Sequence, residues 1–87
     1  MKAQAALIRE QGVSFAVVAV KRHVLTATNQ REALRNQMSQ IFGGAPTVVM
    51  ARDAKGVPMY NGRKDLVKWL SNVYVEALPW KEYTLST

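Results

Sequence analysis

The stretch Val13-Ser-Phe-Ala-Val-Val-Ala-Val20 decides the fold. It is an almost unbroken apolar run rich in β-branched residues, whose stiff side chains fit a pleated surface better than a helix. A strand wetted on one face would alternate apolar with polar positions. A run without that alternation suits a strand covered on both faces. We therefore place Val13 to Val20 at the centre of a sheet, with Lys21, Arg22 and His23 bringing the chain back to the surface.

On the amino-terminal side, Lys2 to Gln11 reads as a short helix with Ala3, Ala6 and Leu7 on one face, and Gly12 stands where a left-handed cap would end it. On the carboxy-terminal side, Leu34, Met38, Ile41 and Phe42 mark one face of a helix from Asn29 to Phe42. Asn29 with Glu32 suggests a capping box at its start, and Gly43-Gly44 stops it. Arg31 and Arg35, four apart, fall on the opposite, polar face.

Pro46 opens a second apolar stretch, Thr47 to Ala51. Asp53-Ala-Lys-Gly56 supplies turn chemistry before Val57 to Tyr60, so this unit reads as a β-hairpin. Pro58 cannot donate to a ladder, which makes the second strand an edge. Beyond Asn61-Gly62, Leu66, Trp69, Leu70 and Val73 form the apolar stripe of a helix from about Arg63 to Asn72, with Asp65 in its first turn facing Lys68. In the tail from Tyr74 to Thr87, either Lys81 to Leu85 adds a short strand or Trp80 simply pins the chain to the core.

These elements predict a single α/β domain with the order α-β-α-β-β-α, a possible last strand and a mixed sheet of three or four strands. The crossover helix makes the first two strands parallel with a right-handed connection, and the third returns antiparallel. At 87 residues there is room for one core only.

The stretch Gly44-Ala-Pro-Thr-Val-Val-Met-Ala51, with Asp53-Ala-Lys-Gly56, Gly62 and Leu66-Val-Lys-Trp-Leu70, resembles the distal half of the thioredoxin-like superfamily. The resemblance implies a proline, usually cis, ahead of an apolar strand, then a turn, a second strand and a closing helix entered through a glycine. It covers about thirty residues, and the family's active-site dithiol is absent because the chain has no cysteine. The resemblance leaves Ala45 and Pro46 only backbone to offer to an extended peptide.

The same lack of cysteine excludes disulfides, thiolate zinc sites and iron–sulfur clusters. One histidine, His23, cannot build a histidine metal site, and no acidic residue stands near it in sequence to orient its ring for base catalysis. The six carboxylates show no paired spacing, and the glycines form neither a phosphate loop nor a dinucleotide fingerprint. No stretch has the length of a membrane span or of a signal peptide's apolar region. The expectation is a cytoplasmic protein without catalytic residues, cofactor or metal.

The compositional departure is charge: 12 lysines and arginines against 6 acidic residues give a net +6. Two readings follow. In the first, the domain is a protein-interaction module that pairs with a partner or a second copy along Ala45, Pro46, Val57, Met59 and Tyr60. In the second, Arg31, Arg35, Arg63, Lys64 and Lys68 contact nucleic-acid phosphates. Tyr60 is then the one aromatic exposed beside a basic cluster, since Phe15, Phe42 and Trp69 fall on core positions.

Overall fold

The computed structural model describes residues 2–10 and 12–84. They form a small α/β domain with a five-stranded mixed sheet in the order β4-β3-β2-β1-β5. The strands are β1 (Lys2–Glu10), β2 (Val13–Ala19), β3 (Thr47–Arg52), β4 (Pro58–Asn61) and β5 (Trp80–Thr84). Helices α1 (Arg22–Thr26), α2 (Thr28–Ile41) and α3 (Lys64–Leu70) and a 3-10 turn at Val75–Ala77 complete the described residues. The apolar run is the middle strand, with Phe15, Ala16, Val17 and Val18 fully buried. As expected, β2 pairs parallel with β3 across the crossover, and β3 pairs antiparallel with β4.

Alternation along β2 divides its side chains between two layers. Phe15 and Val17 join Ala6, Ile8, Val48 and Met50 against Leu66 and Leu70 of α3 and Val75 and Leu78 beyond it. Val18 joins Ala5, Val49 and Ala51 against Leu25 of α1 and Met38 of α2. The sheet is thus covered on both faces, which is the environment its unbroken apolar strand demands.

The segment expected as a first helix is instead β1. Its alanines and leucine favour a helix locally, yet every residue from Gln4 to Glu10 pairs with β2, from Gln4 opposite Ala19 to Glu10 opposite Val13. Gly12, with φ of 77°, lies in the tight connection of this hairpin rather than at a helix end. Without β1 the middle strand would present one unpaired edge, and buried backbone groups left unpaired cost more than helix propensity supplies. The sheet therefore has five strands where three or four were expected.

Both readings of the tail hold together. β5 pairs antiparallel with β1 from Lys2–Thr84 to Ala6–Trp80, while the Trp80 indole packs on the core and its Nε1 donates to the Val75 carbonyl at 2.7 Å. The strand runs from 80 to 84; Leu85 of the expected strand lies outside the described residues.

Local details also differ. The capping box does not form: α2 begins at Thr28 behind Ala27, and Glu32 turns its carboxylate to Arg31 and Arg35. A separate short helix, α1, precedes it, where Thr26 Oγ1 bonds back to the Arg22 and His23 carbonyls. Asp65 accepts two bonds from Arg63, at 3.0 and 2.6 Å, instead of facing Lys68. No cis peptide bond occurs among the described residues, the one before Pro46 included.

Gly62 has a packing role. A Cβ there would stand 2.9 Å from Val48 Cγ2 and 3.2 Å from Val48 Cα, and Val48 is fully buried in β3. Because the obstacle includes backbone in an inner strand, Gly62→Ala should cost about 1–3 kcal/mol by overpacking. Urea unfolding checks this, and Val48→Ala in the same chain should recover part of the loss; strict additivity of the two costs would show that the clash does not govern the site.

Candidate functional site

The crossover from β2 to β3 leads the chain away from β1, so α1 and α2 settle over the β2–β3 side of the sheet. In open α/β sheets, crevices form outside the carboxyl ends of strands where neighbouring connections depart in different directions. Here the carboxyl end of β2 lies beside the amino end of β1, and a groove of about 560 Å3 opens there. β2 and its extension supply Ala19 and Val20, α1 and its cap supply Lys21 and Val24, and α2 supplies Gln30 and Leu34. β1 contributes Lys2, Ala3 and Gln4. From β1 only the small Ala3 methyl reaches the apolar wall, where a larger side chain would take up part of the space.

Backbone bonds hold the rim. Val20 N–H donates to the Met50 carbonyl at 2.8 Å, extending the β2–β3 ladder, and the Lys21 carbonyl accepts from Val24 N–H at 3.0 Å to start α1. Leu25, buried below α1, anchors that helix over the sheet. The groove wall is largely apolar, and its charged members are both cations. Lys2 Nζ lies 3.5 Å from Glu82 Oε1, but the two side chains are 69% and 53% exposed, so this pair is weak. Lys21 is exposed at the mouth. An apolar cleft of this size with few polar groups has the ordinary make-up of a ligand site.

The five basic side chains read as phosphate contacts do not form one stripe. α2 and α3 cover opposite faces of the sheet, which separates Arg31 and Arg35 from Lys64 and Lys68. Arg31 and Arg35 are not on a solvated face either, their side chains being 20% and 22% exposed. Arg31 Nη1 donates to the Leu25 carbonyl at 3.0 Å, and Arg35 Nη2 donates to the Asn61 carbonyl at 2.9 Å. Both guanidiniums are thus tied to backbone carbonyls of other elements.

Arg35 and Arg63 do meet across a smaller depression of about 310 Å3, lined also by Pro46, Thr47, Asn61 and Gly62. Arg63 already holds the Asp65 carboxylate and Arg35 shares Glu32 with Arg31, so much of the local charge is neutralised. That depression is therefore a weaker candidate than the groove.

The edge residues separate as well. Val57, Met59 and Tyr60 lie on or beside edge strand β4, whereas Ala45 and Pro46 precede β3, one strand inward. Val57 directs its carbonyl to Asp53 N–H at 2.9 Å; by antiparallel alternation Pro58 and Tyr60 then direct their backbone groups outward. Pro58 has no N–H to offer, so the outward edge keeps the Tyr60 N–H as its one donor beside the Pro58 and Tyr60 carbonyls, and the missing donor weakens pairing there. Tyr60 is half-buried with its hydroxyl enclosed and without a protein partner, and burial pushes its phenol above the ordinary value. It is not the exposed stacking aromatic that the sequence suggested.

None of the groove residues was among the candidate contacts read from the sequence, where Ala3, Val20 and Leu34 had structural places and Lys21 marked the return to the surface. The amino-terminal wall was hidden by the helical reading of Lys2 to Gln11, where only Lys2-Ala-Gln-Ala5 alternates polar with apolar and the four apolar residues from Ala5 to Ile8 do not. His23 is exposed on α1, and among the described residues no three histidine or acidic side chains gather as a metal site. No described helix is long and apolar enough to cross a membrane.

No protein-family model, curated protein or solved structure matches the chain.

Proposed function

We propose that this chain is a small non-catalytic binding module whose ligand site is the groove between β1, the carboxyl end of β2 and helices α1 and α2. The single observation that carries this reading is the groove itself: about 560 Å3 and largely apolar, with Lys2 and Lys21 as its charged members. Mechanism is then complementarity of shape and charge, as expected of an interaction module. The reading moves the binding surface from the β4 edge, blunted by Pro58, to the opposite half of the sheet. It does not draw on the thioredoxin-like resemblance of residues 44–70.

The nucleic-acid reading has less support, because its five basic residues divide between the two layers and two of them are bonded internally. Titration of isotopically labelled chain with a neutral apolar dye, Nile red, tests the proposal. Amide shifts should concentrate at residues 2–4, 19–24 and 30–34. Shifts scattered over the surface, or none at dye saturation, would remove the groove as a ligand site.

A further inference from the structure

The groove's charge pattern goes one step further than its shape. Its walls present Ala3, Val20, Val24 and Leu34 to an apolar body, while its charged groups, Lys2 and Lys21, are both cationic. No acidic residue lines it, in a chain that already carries a net +6. A cation would be repelled by Lys21, and the repulsion from Lys2 is only partly offset by Glu82. A neutral apolar molecule would leave both ammonium groups unused. Lys2 is partly engaged by Glu82, whereas no carboxylate is paired with Lys21 among the ion pairs of the described residues. Lys21 also stands where the groove reaches solvent, beside Arg22 and His23, so an acidic head seated there stays hydrated while its tail is covered.

We propose that the groove takes a small amphiphile with one acidic head, a medium-chain carboxylate, with its chain along Ala3, Val20 and Leu34 and its carboxylate at the Lys21 ammonium. This rests on the groove being a ligand site, and the experiment separates the two claims. Hexanoate, octanoate, octanamide and octylammonium are each used to displace Nile red from the full chain at low ionic strength.

Octanoate should bind about three- to fivefold tighter than octanamide, since an exposed ion pair contributes little more, and the gap should close as salt is raised. Octylammonium should be weakest. Lengthening hexanoate to octanoate should gain roughly fivefold or more, from two further methylenes leaving water. Lys21→Gln should abolish the preference for octanoate, bringing its affinity down to that of octanamide in the same variant. Ala3→Leu, which fills the groove floor, should weaken both.

Equal binding of octanoate and octanamide, or a preference that survives Lys21→Gln, would overturn the acidic-head assignment while leaving the groove a ligand site. Failure of the dye and of every amphiphile to bind would remove both claims. A concentration-dependent dimer that octanoate does not dissociate and Ala3→Leu abolishes would put a second copy of the chain in the groove, and would also overturn the proposal.

Discussion

Replacing Phe15 with alanine should cost about 3–5 kcal/mol, the range for emptying a buried aromatic site. Phe15 is fully buried in the middle strand and meets Trp69 of α3 edge to face, with ring centroids 5.9 Å apart and an interplanar angle of 85°. That geometry sets the positive ring edge against the negative face and adds about 0.5–1.5 kcal/mol beyond burial. A domain of 87 residues has roughly 4–13 kcal/mol of total stability, so the alanine variant sits at or beyond the margin at physiological temperature. Phe15→Leu, which keeps most of the volume, should remain folded with a smaller loss. In that variant Trp69 should lose its ring partner, and intrinsic fluorescence should change before any unfolding. A Phe15→Ala chain as stable as the parent in urea would contradict the placement of β2 between two packed layers.

Replacing Arg35 with methionine should lower stability by about 2–3 kcal/mol, since hydrogen bonds to a charged group are the stronger kind and several act from one guanidinium. Nη1 donates to both Glu32 oxygens, at 2.9 and 2.7 Å, and Nη2 donates to the Asn61 carbonyl at 2.9 Å and to its side-chain oxygen. One side chain therefore ties the crossover helix to the edge strand, and the melting temperature should fall by about 10–20 °C. Arg35→Lys should recover less than half of this, because one ammonium cannot span Glu32 and Asn61 as a planar fork does.

The effect should also depend on pH. The Arg31 hydrogen bond, foremost, and the charges of Arg35 and Arg31 hold the Glu32 carboxyl below its ordinary value despite opposing desolvation. A carboxyl lowered in the folded state stabilises above the ordinary carboxylate range, and that share is lost as pH falls through its folded value. Glu32 is 45% exposed, so the share is small. Unfolding curves from neutral to acid pH should show the gap between parent and Arg35→Met narrowing on the acid side. Full rescue by lysine, or a gap that widens in acid, would show that the guanidinium is not the tie between α2 and β4.

How far the sequence was legible varies element by element. Val13 to Val20 announced a doubly covered strand, and the hairpin from Thr47 to Tyr60 followed from its turn residues and Pro58. The apolar stripes ending in Phe42 and Val73 placed helices from Asn29 to Phe42 and from about Arg63 to Asn72, against Thr28–Ile41 and Lys64–Leu70 in the fold. In each case the signal lies within a short window: a periodicity, a turn, a residue unable to donate. The segment from Lys2 was misread because alanine, leucine and glutamate favour a helix when judged alone, while the competing force is pairing with a strand elsewhere in the chain. Arg31 and Arg35 were misread for a related reason. Spacing puts them on the polar face of a helix, but only the folded chain brings Asn61 and the Leu25 carbonyl to meet them.

By itself, then, the sequence determined that this is one small α/β domain built on an apolar middle strand, without thiol chemistry and with an excess of positive charge. Tertiary structure alone decided the fifth strand, the division of the basic residues between two layers, and the groove beside β1. The physical reason is the range of the interactions. Turn chemistry and side-chain periodicity act between neighbours along the chain. Backbone pairing, burial and the space left between layers arise between residues far apart, where no local pattern records them.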